Sequence, residues 1–178
     1  MEPGSLSAGE AVDVPVIVYD IPGRSIVRVN DNTLTKLASD HANILGIKDA
    51  TADLARPTIL HNMLGNTFTQ LSGEDATALP YLAAGGHGCI SVTANIAPKL
   101  LSDMHASWWA GDIATAQAVH KKLLPVHEAM FCEASPGPVK YAASLLGICA
   151  DEVRLPLCEI ADSSKSQVND ALVGAGLL

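Results

Sequence analysis

Seven lysines occur in the chain, and one of them differs from the rest in its setting. Lys48 closes the apolar run Ile44-Leu45-Gly46-Ile47-Lys48-Asp49-Ala50. Lys36, Lys99, Lys121, Lys122, Lys140 and Lys165 fall in segments with helical patterning, where a solvated ammonium is the ordinary state. An unpaired ammonium is costly to bury, so burial favours the free amine, which is the nucleophile of Schiff-base chemistry. The run by itself leaves a second disposition open, in which Lys48 snorkels out of a strand mouth or pairs with a carboxylate such as Asp49. Two further groups join it. Tyr19 closes Val16-Ile17-Val18-Tyr19, and Arg24 follows in the next loop. Together these three side chains suit one reaction: the amine attacks a ketone, the phenol relays protons through the carbinolamine, and the guanidinium binds a carboxylate bidentately. Each also has an ordinary role. Tyr19 can be an amphipathic core residue with its hydroxyl at the rim, and Arg24 a solvated loop charge. Gly73 and Gly85-Gly86 can be turn glycines. His87 precedes its strand and reads as structural.

These residues meet only if the elements carrying them end at one place. Val14 to Asp20 is apolar and β-branched, as in a strand covered on both faces of a parallel sheet. Pro22-Gly23 breaks it, and Asn30-Asp31-Asn32 caps a helix bearing Leu34, Leu37 and Ala38. Ile44 to Lys48 is the second strand. Pro57 sits in the first turn of the next helix, with Ile59, Leu60, Met63 and Leu64 as its apolar stripe and Gly65 as its end. Thr67 to Leu71 is the third strand, closing at Ser72-Gly73. Glu74 and Asp75 fall at the following helix start, and that helix ends at Gly85-Gly86. Cys89 to Thr93 is the fourth strand, followed by a helix from Pro98 through Leu101, Met104 and Trp108. Strand starts near 16, 44, 68 and 88 give four βα units, which demand a parallel sheet, either doubly wound or part of a (β/α)8 barrel. Ligands of such sheets gather at the carboxyl ends of the strands, where Tyr19, Lys48, Gly73 and Ser91 lie.

After Gly111 the strand signals stop. One long helix carries Ile113 to Met130 with Pro125 as a kink, and a short helix follows Pro136-Gly137-Pro138. A last helix is capped by Ser163 or Ser164. The organisation expected is a disordered Gly/Ser-rich leader over 1–10, a half-barrel of four βα units over 11–111, and a three-helix region over 112–178.

Composition limits the alternatives. The 178 residues are 48% hydrophobic but only 4% aromatic, which suits a core of Val, Ile, Leu and Ala. The formal net charge of −8, with no basic cluster, disfavours nucleic acid and anionic membrane as partners. No run reaches the roughly 18–20 apolar residues of a transmembrane helix. Cys89, Cys132, Cys149 and Cys158 share no metal-ligand spacing and read as buried reduced thiols of a cytoplasmic protein. No Gly-x-Gly-x-x-Gly or Walker loop follows a strand, and neither metal nor organic cofactor is expected.

The motifs, taken in order, are specific. Tyr19-Asp20-Ile21-Pro22-Gly23-Arg24-Ser25, Gly46-Ile47-Lys48-Asp49-Ala50, Leu71-Ser72-Gly73-Glu74-Asp75-Ala76 and Gly85 through Asn95 resemble the C-terminal portion of the dihydrodipicolinate synthase family. Pro136 to Lys140, Arg154 to Leu157 and the final Ala175-Gly176-Leu177-Leu178 continue the likeness. That family is one of the pyruvate-dependent class I aldolases that include N-acetylneuraminate lyase. The resemblance implies an α/β fold, a partial TIM (β/α)8 barrel equivalent to strands five to eight, followed by a C-terminal helical appendage. It implies Lys48 as the Schiff-base lysine for pyruvate, Tyr19 as proton relay, and Arg24, Gly73 and Ile90 as substrate-binding residues. Arg24 would hold the carboxylate of aspartate semialdehyde. The reaction implied is their condensation in lysine biosynthesis, by a homo-oligomer, dimer or tetramer. Relative to the family, the chain lacks the second-strand threonine pair and the tyrosine lent by a neighbouring subunit. Impaired activity of this chain alone is therefore expected. The alternative is a non-catalytic paralogue acting as an oligomerising or 2-oxo-acid-binding module.

Overall fold

The computed structural model describes residues 9–178, so the leader expected over 1–10 falls, as far as residue 8, outside the described residues. The chain forms two compact units, one ending at Ile90 and the other running from Ser91 to Leu178.

The first unit is built on four parallel strands, β1 (Val16–Asp20), β2 (Ile44–Asp49), β3 (Thr69–Ser72) and β4 (Gly88–Cys89), paired in the order β1-β2-β3-β4. The α/β class with a parallel sheet is as expected. Helices make each crossover: α1 (Pro22–Ser25) and α2 (Asp31–Asp40), then α3 (Arg56–Leu64), then α4 (Ala78–Ala83). Asn30 caps α2 as its sequence requires, its side chain accepting from the Asn32 amide at 2.9 Å. Leu34 and Leu37 of α2 and Leu60 of α3 bury against Ile44, Ile47 and Phe68, with Val16 and Val18 beside them. The stripe expected on α3 is narrower than its spacing suggested. Leu60 is fully buried, but Ile59 and Met63 are exposed, because the inward row of α3 runs through Arg56, Pro57 and Leu60.

The fourth strand is also shorter than its β-branched run suggested. Ile90 adds one more ladder bond, its amide donating to Ser72 O at 2.9 Å. The chain then turns into a 3₁₀ segment at Thr93–Asn95. Ser91 Oγ accepts from the Ala94 amide and Asn95 Nδ2 donates to Val92 O, so side chains take over the backbone groups that a strand would need.

The second unit is helical: α5 (Pro98–Trp109), α6 (Ile113–Ala129), α7 (Gly137–Leu145) and α8 (Asp162–Gly174). Val126, Ala129 and Met130 pack with Val139, Ala142, Val168 and Leu172 in one core. α6 runs on through Pro125. α8 begins one or two residues before the expected serine cap, with Ala161 at the cap position and no side-chain cap bond. Inside this unit Thr93 Oγ1 and His127 Nδ1 lie 2.8 Å apart, both groups being buried.

Candidate active site

Strand alternation gives the sheet of the first unit two chemically different faces. One face packs on the helices and holds Val18, Asp20, Ile47 and Asp49. The other carries Ile17, Tyr19, Gly46, Lys48, Thr69 and Leu71. Register sets these in rows, Ile17 beside Gly46 and Gly46 beside Thr69, then Tyr19 beside Lys48 and Lys48 beside Leu71. Gly46 is required in the lower row. A Cβ there would come within 2.3 Å of Thr69 O and 2.8 Å of Thr69 Cβ. The upper row can therefore close up over it.

In that upper row Lys48 Nζ lies 4.0 Å from the centroid of the Tyr19 ring. The amine rests on the ring face, between the phenol on β1 and Leu71 on β3, while Tyr19 itself is 49% exposed. Contact of this kind at a partly exposed site is worth about 0.5–1 kcal/mol. Sequence left open a pairing of Lys48 with Asp49, and the structure excludes it by alternation. Asp49 points to the helix face and is buried, its Oδ1 accepting from Thr51 Oγ1 at 2.7 Å and the Thr51 amide at 3.0 Å.

Arg24, Gly73 and Ile90 lie just past the carboxyl ends of β1, β3 and β4. Gly73 donates its amide to Asp49 O at 2.7 Å, and a Cβ on it would meet Ala50 Cβ at 2.8 Å. Glycine is therefore needed there for close approach of the two chain segments. Ile90 stands one residue beyond β4 and is 44% exposed. Arg24 lies on α1, immediately past the end of β1, with its side chain exposed. His87 is structural, as read: its amide donates to Gln70 O at 2.8 Å, and its Nδ1 accepts from the Gln70 amide at 3.0 Å. Two of the four thiols expected to be buried, Cys149 and Cys158, are exposed, while Cys89 and Cys132 are half-buried. Burial, with Asp75 next, pushes the Cys89 thiol up to about 12, so it is no nucleophile near neutral pH.

Two residues of this region take parts that sequence did not assign to them. The first is Glu74, which sequence assigned to a helix start. The helix α4 begins four residues later, and Glu74 instead occupies a turn, its amide donating to Ser72 Oγ at 3.0 Å. Burial first, then the charges of Asp75 and Asp49, raise its carboxyl above the ordinary 4.5, while the Lys48 ammonium works the other way. A carboxyl raised on folding stabilises the fold in acid and loses that contribution as pH rises through its folded value. Glu74→Gln is therefore expected to stabilise the protein at neutral pH, with the gain vanishing well into acid; urea midpoints at the two conditions check this.

The second is Arg56, the first residue of α3 and completely buried. Its Nη1 donates to Asp20 Oδ2 at 2.6 Å and to Asp49 Oδ1 at 3.3 Å. Its Nε donates to Asp31 Oδ1 at 2.8 Å, and its Nη2 to Val29 O at 2.8 Å. Burial alone would depress this guanidinium, but the Asp20 bond, the charge of Asp49 and the Asp31 bond outweigh it and hold it above the usual guanidinium value. The signal in the sequence was the recurrence of an aspartate directly after Tyr19 and directly after Lys48. Nothing local names the arginine that answers them.

Among the described residues no group of three or more His, Cys, Asp or Glu side chains is arranged to hold a metal ion, and no helix is long and apolar enough to cross a membrane.

What the arrangement can do is bring an amine and a phenol ring together on an exposed sheet face, with the Glu74 carboxyl just past β3 and Arg24 on α1 just past β1. Comparison with known proteins gives it a family. Residues 8–175 match the Dihydrodipicolinate synthetase family. The 4-hydroxy-tetrahydrodipicolinate synthase of Gluconacetobacter diazotrophicus is 51% identical over 174 residues, covering 97% of this chain and 58% of that protein. The same enzyme of Acidiphilium cryptum is 52% identical over 172 residues, covering 97% and 59%. Among solved structures, the chloride-inhibited dihydrodipicolinate synthase of Acinetobacter baumannii, complexed with pyruvate, superposes with a TM-score of 0.91 at 39% identity, covering 97% of this chain and 59% of that one. The chain thus spans somewhat under three fifths of the length of the relatives it matches, and along that span it belongs to the dihydrodipicolinate synthetase family.

Proposed function

We propose that this chain supplies the Schiff-base half-site of a dihydrodipicolinate synthase-type lyase. Lys48 is the nucleophile, Tyr19 the proton relay, and Arg24, Gly73 and Ile90 bind substrate. The free amine of Lys48 adds to the ketone carbon of pyruvate, and protons move from nitrogen to oxygen through the phenol. Water then leaves as the C=N bond forms. Loss of a methyl proton gives the enamine that attacks the aldehyde of aspartate semialdehyde, whose carboxylate Arg24 holds. The observation that carries this reading is the placement of the Lys48 amine 4.0 Å over the Tyr19 ring at paired strand ends.

The same reading takes the four strands as one arc of a (β/α)8 barrel, strands five to eight, with a helical appendage after it. The consecutive strand order supports the arc, since a doubly wound sheet reverses its order at a switch point. The same reading places the chain in a cytoplasmic homo-oligomer; the family supports the assembly, and four free cysteines suit a reducing compartment.

The test is covalent capture. Incubation with pyruvate and borohydride is expected to leave one reduced pyruvyl group on the intact chain, and a turnover assay with aspartate semialdehyde then follows product. An uncaptured, folded protein overturns the reading. Capture without turnover would instead select a module that binds a 2-oxo acid covalently and stops there.

A further inference from the structure

Resting on the Schiff-base reading above, we propose that Arg56 is the positioning residue of the Lys48–Tyr19 pair. It never touches the face on which that pair lies. Asp20 follows Tyr19, Asp49 follows Lys48, and the two aspartates are partners in the β1–β2 register. Alternation sends the aspartates to the helix side and the phenol and amine to the other side. A single guanidinium nitrogen, Nη1, bonds both aspartates, at 2.6 and 3.3 Å. The same group is itself tied to Asp31 in the first turn of α2 and to Val29 O. Val29 is tied in turn to β1, its amide donating to Asp20 Oδ1 at 3.2 Å. The Ala50 amide completes the junction by donating to Asp20 O at 2.9 Å.

The consequence is mechanical. Consecutive Cα atoms are about 3.8 Å apart across a rigid peptide, so fixing residues 20 and 49 fixes 19 and 48 as well. The sheet ladder sets strand spacing farther down, but at the carboxyl ends, where β1 and β2 stop, Arg56 joins them. A planar guanidinium has five donors in a fixed fork and can span three acceptor sets at once. A lysine ammonium is a point charge that cannot.

The experiment compares the full chain with its Arg56→Lys and Asp20→Asn variants. The first keeps the charge and the second keeps the side-chain shape. Lysine labelled with ¹³C at Cε gives one signal per residue, and that of Lys48 is identified by its loss in Lys48→Arg. In the parent chain this signal is expected upfield of the other lysines, because the Lys48 amine lies 4.0 Å over the Tyr19 ring. The second readout is the rate of pyruvate capture under borohydride across pyruvate concentrations, which separates rate from affinity. Arg56→Lys is expected to lose half or more of the upfield shift and to slow capture at saturating pyruvate by on the order of 10- to 100-fold, the penalty of a misplacement near 1 Å. Asp20→Asn changes both in the same direction and less.

Variants that melt earlier yet keep the Lys48 signal and the saturated rate would mark a purely structural role and overturn the proposal. If Arg56→Lys prevents folding, Asp20→Asn decides by the same two readouts. A parent chain that captures no pyruvate overturns the Schiff-base reading alone, and the Lys48 signal still decides whether Arg56 holds the pair.

Discussion

Replacing Lys48 with alanine is expected to abolish the pyruvyl adduct completely while leaving the protein folded. The amine is chemically irreplaceable, because none of the other six lysines lies at a strand end. It is structurally dispensable, because the contact that holds it is the stacking on Tyr19, worth about 0.5–1 kcal/mol. The two facts together make the variant a clean test: intact mass reads the chemistry and circular dichroism the fold. Tyr19→Phe supplies the complement. The ring and its contact with the amine remain and only the hydroxyl is lost, so capture should persist but slow by roughly 10²–10⁴-fold, the usual worth of acid–base assistance. An adduct that survives Lys48→Ala on another lysine would remove Lys48 from the mechanism. Equal rates for Tyr19→Phe and the parent would remove Tyr19.

Arg56→Met should cost the fold about 3–5 kcal/mol, the penalty for removing one member of a buried ion pair and stranding the others. A typical domain holds only about 5–15 kcal/mol, so the loss is a large share of it. Methionine fills much of the space left by the arginine. The expected cost therefore comes from Asp20 and Asp49, both buried, which lose their shared cation. Urea denaturation gives the value. Restoring stability by adding Asp20→Asn and Asp49→Asn would identify the two buried carboxylates as its source, since neither is then left charged without its cation. Lys36→Ala offers the contrast, because its bond to Asp40 is exposed and worth about 0–1 kcal/mol. A loss for Arg56→Met no greater than that for Lys36→Ala would show the network to be energetically idle.

Much of this was legible in the sequence because it is local. The β-branched runs at Val16 and Ile44, the Asn30 cap and the glycines after helices each act within a few residues, and each element appeared close to where its residues put it. The order of strands and helices then demanded a parallel sheet. Where local signals competed, sequence erred. Cys89 to Thr93 has the composition of a strand, but Ser91 and Asn95 bond their own backbone and end it after two residues. The stripe on α3 has helical spacing, but the inward direction of that helix is set by a buried arginine, so Ile59 and Met63 face out.

The sequence by itself determined that Tyr19 and Lys48 close two successive strands of a parallel sheet, and that such ends are where parallel sheets keep their ligands. It could not determine what each charge would meet. Asp49 is adjacent to Lys48 in the chain but lies across the sheet from it, and its true partner is seven residues on, in α3. Asp20 finds that partner across 36 residues, at 2.6 Å. A strand's two-residue period fixes the face of a side chain, and this is local. The partner on that face depends on the register between strands and the direction in which a helix packs. Both are settled only when the whole layer closes and every buried charge must be answered.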